Sequence, residues 1–158
     1  MNMVDFSLPT LFLAGPTARG NQPHLKSWRF EAVEDLEKNA FSGNVIIPEF
    51  TDKAESDKYR YDLPVWENEG LTRCDVILIW LCRTKEMIGL NTNSEFGYWM
   101  ARDRDKIVYG RPDNAYRIAY NDIMWVEDAK RRSTGGHYIS CPIYNSLYKT
   151  IMAALEKV

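Results

Sequence analysis

The stretch Gly89-Leu90-Asn91-Thr92-Asn93-Ser94-Glu95-Phe96-Gly97 gathers amides, hydroxyls and one carboxylate into nine residues of this chain. Two readings of Glu95 compete. Thr92 followed three residues later by Glu95 has the form of a capping box, in which the acid only closes a helix start, and a first-turn carboxylate suits the helix dipole. Against this stands Gly97, two residues further on and inside the expected helix, where glycine costs roughly 1 kcal/mol relative to alanine. Glycine there implies close approach of another backbone or of a ligand, and with it a chemical use for the neighbouring carboxylate.

A second segment, Gly15-Pro16-Thr17-Ala18-Arg19-Gly20-Asn21, has the make-up of a ligand loop. Its glycines let backbone N–H groups approach an anion or a hydroxyl. Thr17, Arg19 and Asn21 are placed to hold a sugar hydroxyl or a phosphate, and arginine suits phosphate because its planar fork is always charged. The plain alternative is an ordinary loop with a solvated arginine. The run Lys130-Arg131-Arg132, next to Ser133-Thr134-Gly135-Gly136, reads first as a solvated loop and second as a phosphate contact.

Both segments need elements to present them. Short apolar runs alternate with amphipathic stretches. Strands are expected at Leu11–Ala14, Asn44–Ile47, Asp75–Trp80 and Lys106–Tyr109, with a fifth at Ile123–Val126; the Asp75–Trp80 run is apolar on both faces, as a central parallel strand should be. Helices are expected over 24–40, from Pro64 to Arg73, from Asn93 to Arg102 and over 142–157. This alternation predicts one α/β domain over 1–158, a Rossmann-like (flavodoxin-like) three-layer fold with a parallel five-stranded sheet in the order 2-1-3-4-5. In such a sheet ligands bind beyond the carboxyl ends of strands 1 and 3. The loop from Gly15 and the segment carrying Glu95 both fall there, and the top of the helix holding Glu67 is the third contributor. Glu49, after Pro48 at the end of strand 2, is a weaker candidate. Phe50, Tyr59, Tyr61 and Trp66 are the candidates for an aromatic wall against a planar ligand, whereas Trp28, Trp80 and Trp99 read as core. Asp75, at the amino end of its strand, reads as structural.

Composition narrows the class. Twenty basic against 22 acidic side chains leave a net charge of −2, which argues against a nucleic-acid polymer as partner. Cys74, Cys82 and Cys141 form no CxxC, and His24 and His137 lie far apart, so no disulfide framework and no metal site is expected. The first residues lack the pattern of a signal peptide, and no apolar run approaches the ~20 residues that span a bilayer. The expectation is a cytoplasmic protein that does not meet a membrane.

The segments Phe12–Pro16 (FLAGP), Pro48-Glu49, Trp66-Glu67, Asp75–Trp80 (DVILIW) and Thr92–Gly97 (TNSEFG) occur in this order. Together they resemble the nucleoside 2-deoxyribosyltransferase-like family, and the resemblance covers most of the chain. It implies a retaining cleavage of an N-glycosidic bond. Glu95 would attack C1′ of the sugar, and an acceptor base or water would then release it, the logic of a carboxylate nucleophile assisted by an acid. Glu67, eight residues before Asp75, matches the family's second acid and would protonate or orient the leaving base. Gly15, Pro16, Thr17, Arg19, Glu49, Phe50, Trp66, Gly89, Asn91 and Asn93 would complete the substrate site. The loop Gly15–Gly20 also looks like the phosphate loop of nucleoside 5′-monophosphate N-glycosidases. Two positions depart from characterised transferases: Phe12 stands nearest a strand-1 tyrosine, and Gly89 replaces an aspartate six residues before the glutamate, with Asn91 or Asn93 as substitutes. The resemblance implies no cofactor, a nucleoside or nucleotide substrate, a nucleobase acceptor and a homo-oligomer. The alternatives are hydrolysis of a nucleoside 5′-monophosphate and a non-catalytic nucleotide-binding module.

Overall fold

The structure is a computed structural model that describes residues 4–18, 26–50, 57–59, 61–133 and 138–158. Four parallel strands form its sheet: β1 Thr10–Ala14, β2 Asn44–Ile46, β3 Val76–Trp80 and β4 Ile107–Gly110, in the order β2-β1-β3-β4. β1 and β3 are buried along their whole length because they are the inner strands, and each residue meets a helical layer on one face or the other. Phe12 pairs with Ile77 and Leu13 with Leu78 across the centre. The helices are α1 Trp28–Lys38, α2 Leu63–Arg73, α3 Leu90–Asp103, α4 Ala119–Arg132 and α5 Leu147–Leu155.

The period-2 alternation of the strands sorts the core into two halves. Phe12, Ala14, Ile77 and Ile79 face Leu71 of α2, Phe96 and Trp99 of α3, and Trp125 of α4. Leu11, Leu13, Val76 and Leu78 face Trp28 and Leu36 of α1 and Leu147 and Ile151 of α5. The layers are therefore helix, sheet, helix, as expected. Trp28, Trp80 and Trp99 are all buried. Asp75 fastens the amino end of β3: its carboxylate accepts the Thr10 N–H at 2.8 Å, and its own N–H donates to the Thr10 carbonyl at 2.9 Å.

The expected fifth strand is not formed. Ile123–Val126 lies inside α4, where Asn121, Trp125 and Ala129 recur at helical spacing on the buried side while Ile123 is exposed. Four apolar residues in a row are too short a run to distinguish strand from helix by themselves, and the flanking polar residues carry the deciding period. The sheet position next to β4 is instead met by a single residue. Tyr144 forms an isolated parallel bridge with Gly110: its N–H donates to the Tyr109 carbonyl at 3.1 Å, and its carbonyl accepts the Arg111 N–H at 2.8 Å. The last helix is correspondingly shorter than expected and begins after Ser146, whose hydroxyl caps it by accepting the Lys149 N–H. Among the described residues no helix is long and apolar enough to cross a membrane.

Candidate active site

A cavity of about 470 Å³ opens beyond the carboxyl ends of β1 and β3, within the ~300–1,000 Å³ usual for small-molecule sites. β1 delivers Gly15 and Thr17 to it, α2 delivers Glu67, and α3 delivers Asn91 and Glu95. Gly15 lies where β1 ends. A Cβ there would stand 2.5 Å from the Trp80 carbonyl oxygen and 2.6 Å from the Trp28 ring, so the position admits no larger residue without displacing core.

The start of α3 bears on the capping reading of Glu95. The helix begins at Leu90, not near Asn93, and its N-cap is Gly89 at φ 66° and ψ 59°. This left-handed conformation suits glycine. A Cβ at Gly89 would also stand 2.8 Å from Pro16. Thr92 is therefore a buried residue of the first turn, not a cap, and among the described residues no side-chain hydrogen bond caps this helix. Glu95 falls in the second turn, half-buried, at the cavity wall. The capping box expected from Thr92 and Glu95 does not exist. Among the described residues no other backbone approaches Gly97: a Cβ there would meet nothing within 4 Å.

The two glutamates share an unusual electrostatic setting. Burial pushes the Glu67 carboxyl up to about 7, the negative charge of Glu95 pushes it the same way, and Arg29 opposes both. Burial also raises Glu95, again against Arg29. Two carboxyls facing one partly dry cavity resist ionising together, and the second proton to leave is held by the first charge. This has a consequence for stability. A carboxyl whose folded pKa lies above its unfolded value near 4.5 binds more protons in the folded state, so stability is lost as pH rises from the unfolded value through the folded one. Glu67→Gln is therefore expected to raise the melting temperature at pH 8 and to change it little at pH 4, by scanning calorimetry. A gain confined to acid pH would contradict this assignment.

The remaining expected site residues divide. Gly15, Thr17, Gly89 and Asn91 join the two glutamates on the cavity wall. Pro16 is buried behind it; its carbonyl accepts the Trp28 indole N–H at 3.1 Å. Glu49 is bound to α1, accepting from the Ser27 hydroxyl at 2.6 Å and from Arg29 at 3.1 Å. Asn93 belongs to another network, where its side-chain oxygen accepts from Arg83 and from the Asn121 amide. Phe50 stacks on Tyr59, and Trp66 packs against the core under α2. None of these aromatics lines the cavity; among the described residues its apolar lining is Ala18, Pro48, Met87, Ile88 and Leu90. Arg19, Gly20 and Asn21 of the expected phosphate loop lie outside the described residues.

Arg29 was missed. It is 2% exposed, in the first turn of α1, and lines the cavity. A cation in a first helical turn opposes the helix dipole, and that mismatch is the signal in the sequence that something else must hold it. Among the described residues no group of three or more His, Cys, Asp or Glu is arranged to hold a metal ion.

A family model described as "Nucleoside 2-deoxyribosyltransferase like" matches residues 8–113. The chain belongs to this family. The matched stretch runs from the residue pair before β1 to just past β4, and so includes every cavity-lining residue named above, both glutamates among them. In this nucleoside 2-deoxyribosyltransferase-like chain α4, Tyr144 and α5 lie beyond the match. Neither a curated protein nor a solved structure matches the chain.

Proposed function

We propose that the protein cleaves the N-glycosidic bond of a (deoxy)nucleoside and transfers the 2-deoxyribosyl group to another nucleobase. The observation that carries this reading is the pair Glu67 and Glu95, on one cavity wall and electrostatically coupled, with Glu67 held protonated up to about pH 7. Two carboxyls in one cavity, the charge on Glu95 helping to hold the proton on Glu67, can supply an acid and a nucleophile at one pH. In the first step a Glu95 carboxylate oxygen bonds to C1′ as the C1′–N bond breaks. The bonding pair leaves with the base nitrogen, which takes the Glu67 proton. In the second step a nitrogen of the acceptor base, giving its proton to Glu67, bonds to C1′ and releases the Glu95 carboxylate. The anionic Glu95 also stabilises the oxocarbenium character of both transition states. Thr17 and Asn91, both on the wall, supply the hydroxyl and amide that would hold the sugar.

The test is product analysis. Deoxyinosine with free cytosine should give deoxycytidine and hypoxanthine with the wild type. Hypoxanthine released at the same rate with or without cytosine would make the reaction a hydrolysis, and cleavage of the 5′-monophosphate alone would move the reading to nucleotides. Ligand affinity without any product would leave only a binding module. The homo-oligomer belongs to the same reading, because Ile88 and Leu90 expose apolar surface at the cavity rim. A single-chain mass of 18.4 kDa by light scattering would end that part of it.

A further inference from the structure

We propose that Arg29 is the positioning residue of this site: its guanidinium fixes the end of β1, Thr17 and Glu49 as one rigid cradle and sets its buried positive charge against the two glutamates. The proposal rests on the roles given above to Glu67 and Glu95. Three nitrogens of Arg29 make four hydrogen bonds. Nε donates to the Leu13 carbonyl at 3.0 Å, Nη2 to the Gly15 carbonyl at 2.8 Å, and Nη1 both to the Thr17 hydroxyl at 3.0 Å and to the Glu49 carboxylate at 3.1 Å. The guanidinium carbon lies 4.8 Å from the centre of the neighbouring Trp28 ring.

The partners come from three different elements. Leu13 and Gly15 end β1, Thr17 opens the loop that lines the cavity, and Glu49 follows β2. A planar, fixed fork can span such a set, and a lysine ammonium cannot. The strand-end carbonyls would otherwise be buried or bonded to water in the cavity, and each would compete with a sugar hydroxyl for the donors there. With Arg29 in place they are spent, and Thr17 is held by its hydroxyl oxygen with its proton still able to be donated.

The second half of the argument is charge. Among the described residues Arg29 is the one cation on a wall that carries Glu67, Glu86 and Glu95. Its charge favours the ionised form of both Glu67 and Glu95. It is nearly unexposed, so water screens it little. Glu49 holds the cation in place through an ion pair at 3.1 Å.

Two variants separate geometry from charge. Arg29→Lys keeps the charge and loses the fork. Arg29→Met combined with Glu49→Gln removes the cation together with its paired carboxylate, so that no buried charge is left stranded. Both are first checked for a wild-type circular-dichroism spectrum and a cooperative melt. Arg29→Lys should leave the pH limits of kcat/KM in place and raise KM roughly tenfold, with kcat less affected, as the sugar cradle loosens. The double variant should lower kcat/KM about 100-fold and move both limits towards higher pH by about one unit. A folded double variant with wild-type pH limits would reduce Arg29 to a structural tie and overturn the proposal. ¹³C NMR of labelled glutamate carboxyls, assigned through Glu67→Gln and Glu95→Gln, reads the same shift without turnover. A Glu67 titration unmoved in the double variant therefore overturns it even if the protein cleaves no nucleoside. Turnover that survives Glu95→Gln would instead sink the assignment of the nucleophile and leave the Arg29 titration result standing.

Discussion

Glu95→Gln is expected to abolish deoxyribosyl transfer, with kcat falling by about 10⁴-fold or more, as losing a covalent nucleophile does, while nucleoside still binds. The amide is nearly the shape of the acid, and the side chain makes no capping contact that the change would break, because Gly89 caps α3 and Thr92 lies within its first turn. Loss of activity would therefore not be loss of the helix. The change also removes the charge that raises Glu67, so the Glu67 carboxyl should titrate lower in the variant. Burial still keeps it above an ordinary glutamate. Quenched single-turnover reactions analysed by mass spectrometry make the decision directly. Wild type incubated with nucleoside and no acceptor should gain the mass of one deoxyribosyl group on the peptide containing Glu95, and the variant should gain none. A variant that turns over at more than a few per cent of the wild-type rate would return Glu95 to a positioning part and require another nucleophile.

The sequence exposed the sheet order and the crevice because both follow from strong, local signals. β1 and β3 are unbroken apolar runs ended by Gly15 and by the Leu81–Gly89 loop. Parallel connections leave few orders to choose from. The fifth strand failed where the signal was weakest, in four residues whose neighbours set a helical period. The site was half legible for a similar reason. Gly15 and Gly89 sit at a strand end and a helix N-cap, and Glu67 and Glu95 in the second turns of helices that start beside the crevice, so topology brings all four to it. Side-chain direction is not written in the same way. Trp66 immediately precedes Glu67 on α2, yet successive residues on a helix point about 100° apart, so one faces the core while the other faces the cavity. Asn93 and Asn91, two residues apart on α3, diverge likewise, and Asn93 joins Arg83 and Asn121. Arg29 was hidden most completely, because its partners at Leu13, Gly15, Thr17 and Glu49 are brought together only by the folded sheet.

Glu67→Gln should lower kcat/KM for ordinary nucleosides by about 10²–10⁴-fold, the usual contribution of a general acid, and the loss should depend on pH and on the leaving group. Wild-type kcat/KM should rise as Glu95 ionises and fall as Glu67 loses its proton through about 7. The amide neither gains nor loses a proton there, so the alkaline fall should vanish in the variant. The gap between the two proteins should then narrow above pH 7, since the wild type has also lost its acid. A leaving base that needs no proton separates acid catalysis from simple binding. N7-methyl-2′-deoxyguanosine carries a positive charge on its base and expels it without protonation, so the variant should cleave it nearly as fast as wild type. A Glu95 variant should fail on both substrates, because a nucleophile is needed whatever the leaving group. If Glu67→Gln loses activity equally on both, Glu67 orients the base or holds α2 against the crevice, and the acid must be sought elsewhere on the wall. Glu86 is the carboxyl that also lines the cavity, and replacing it would test that alternative: cleavage of ordinary nucleosides should then fall while N7-methyl-2′-deoxyguanosine is still cleaved.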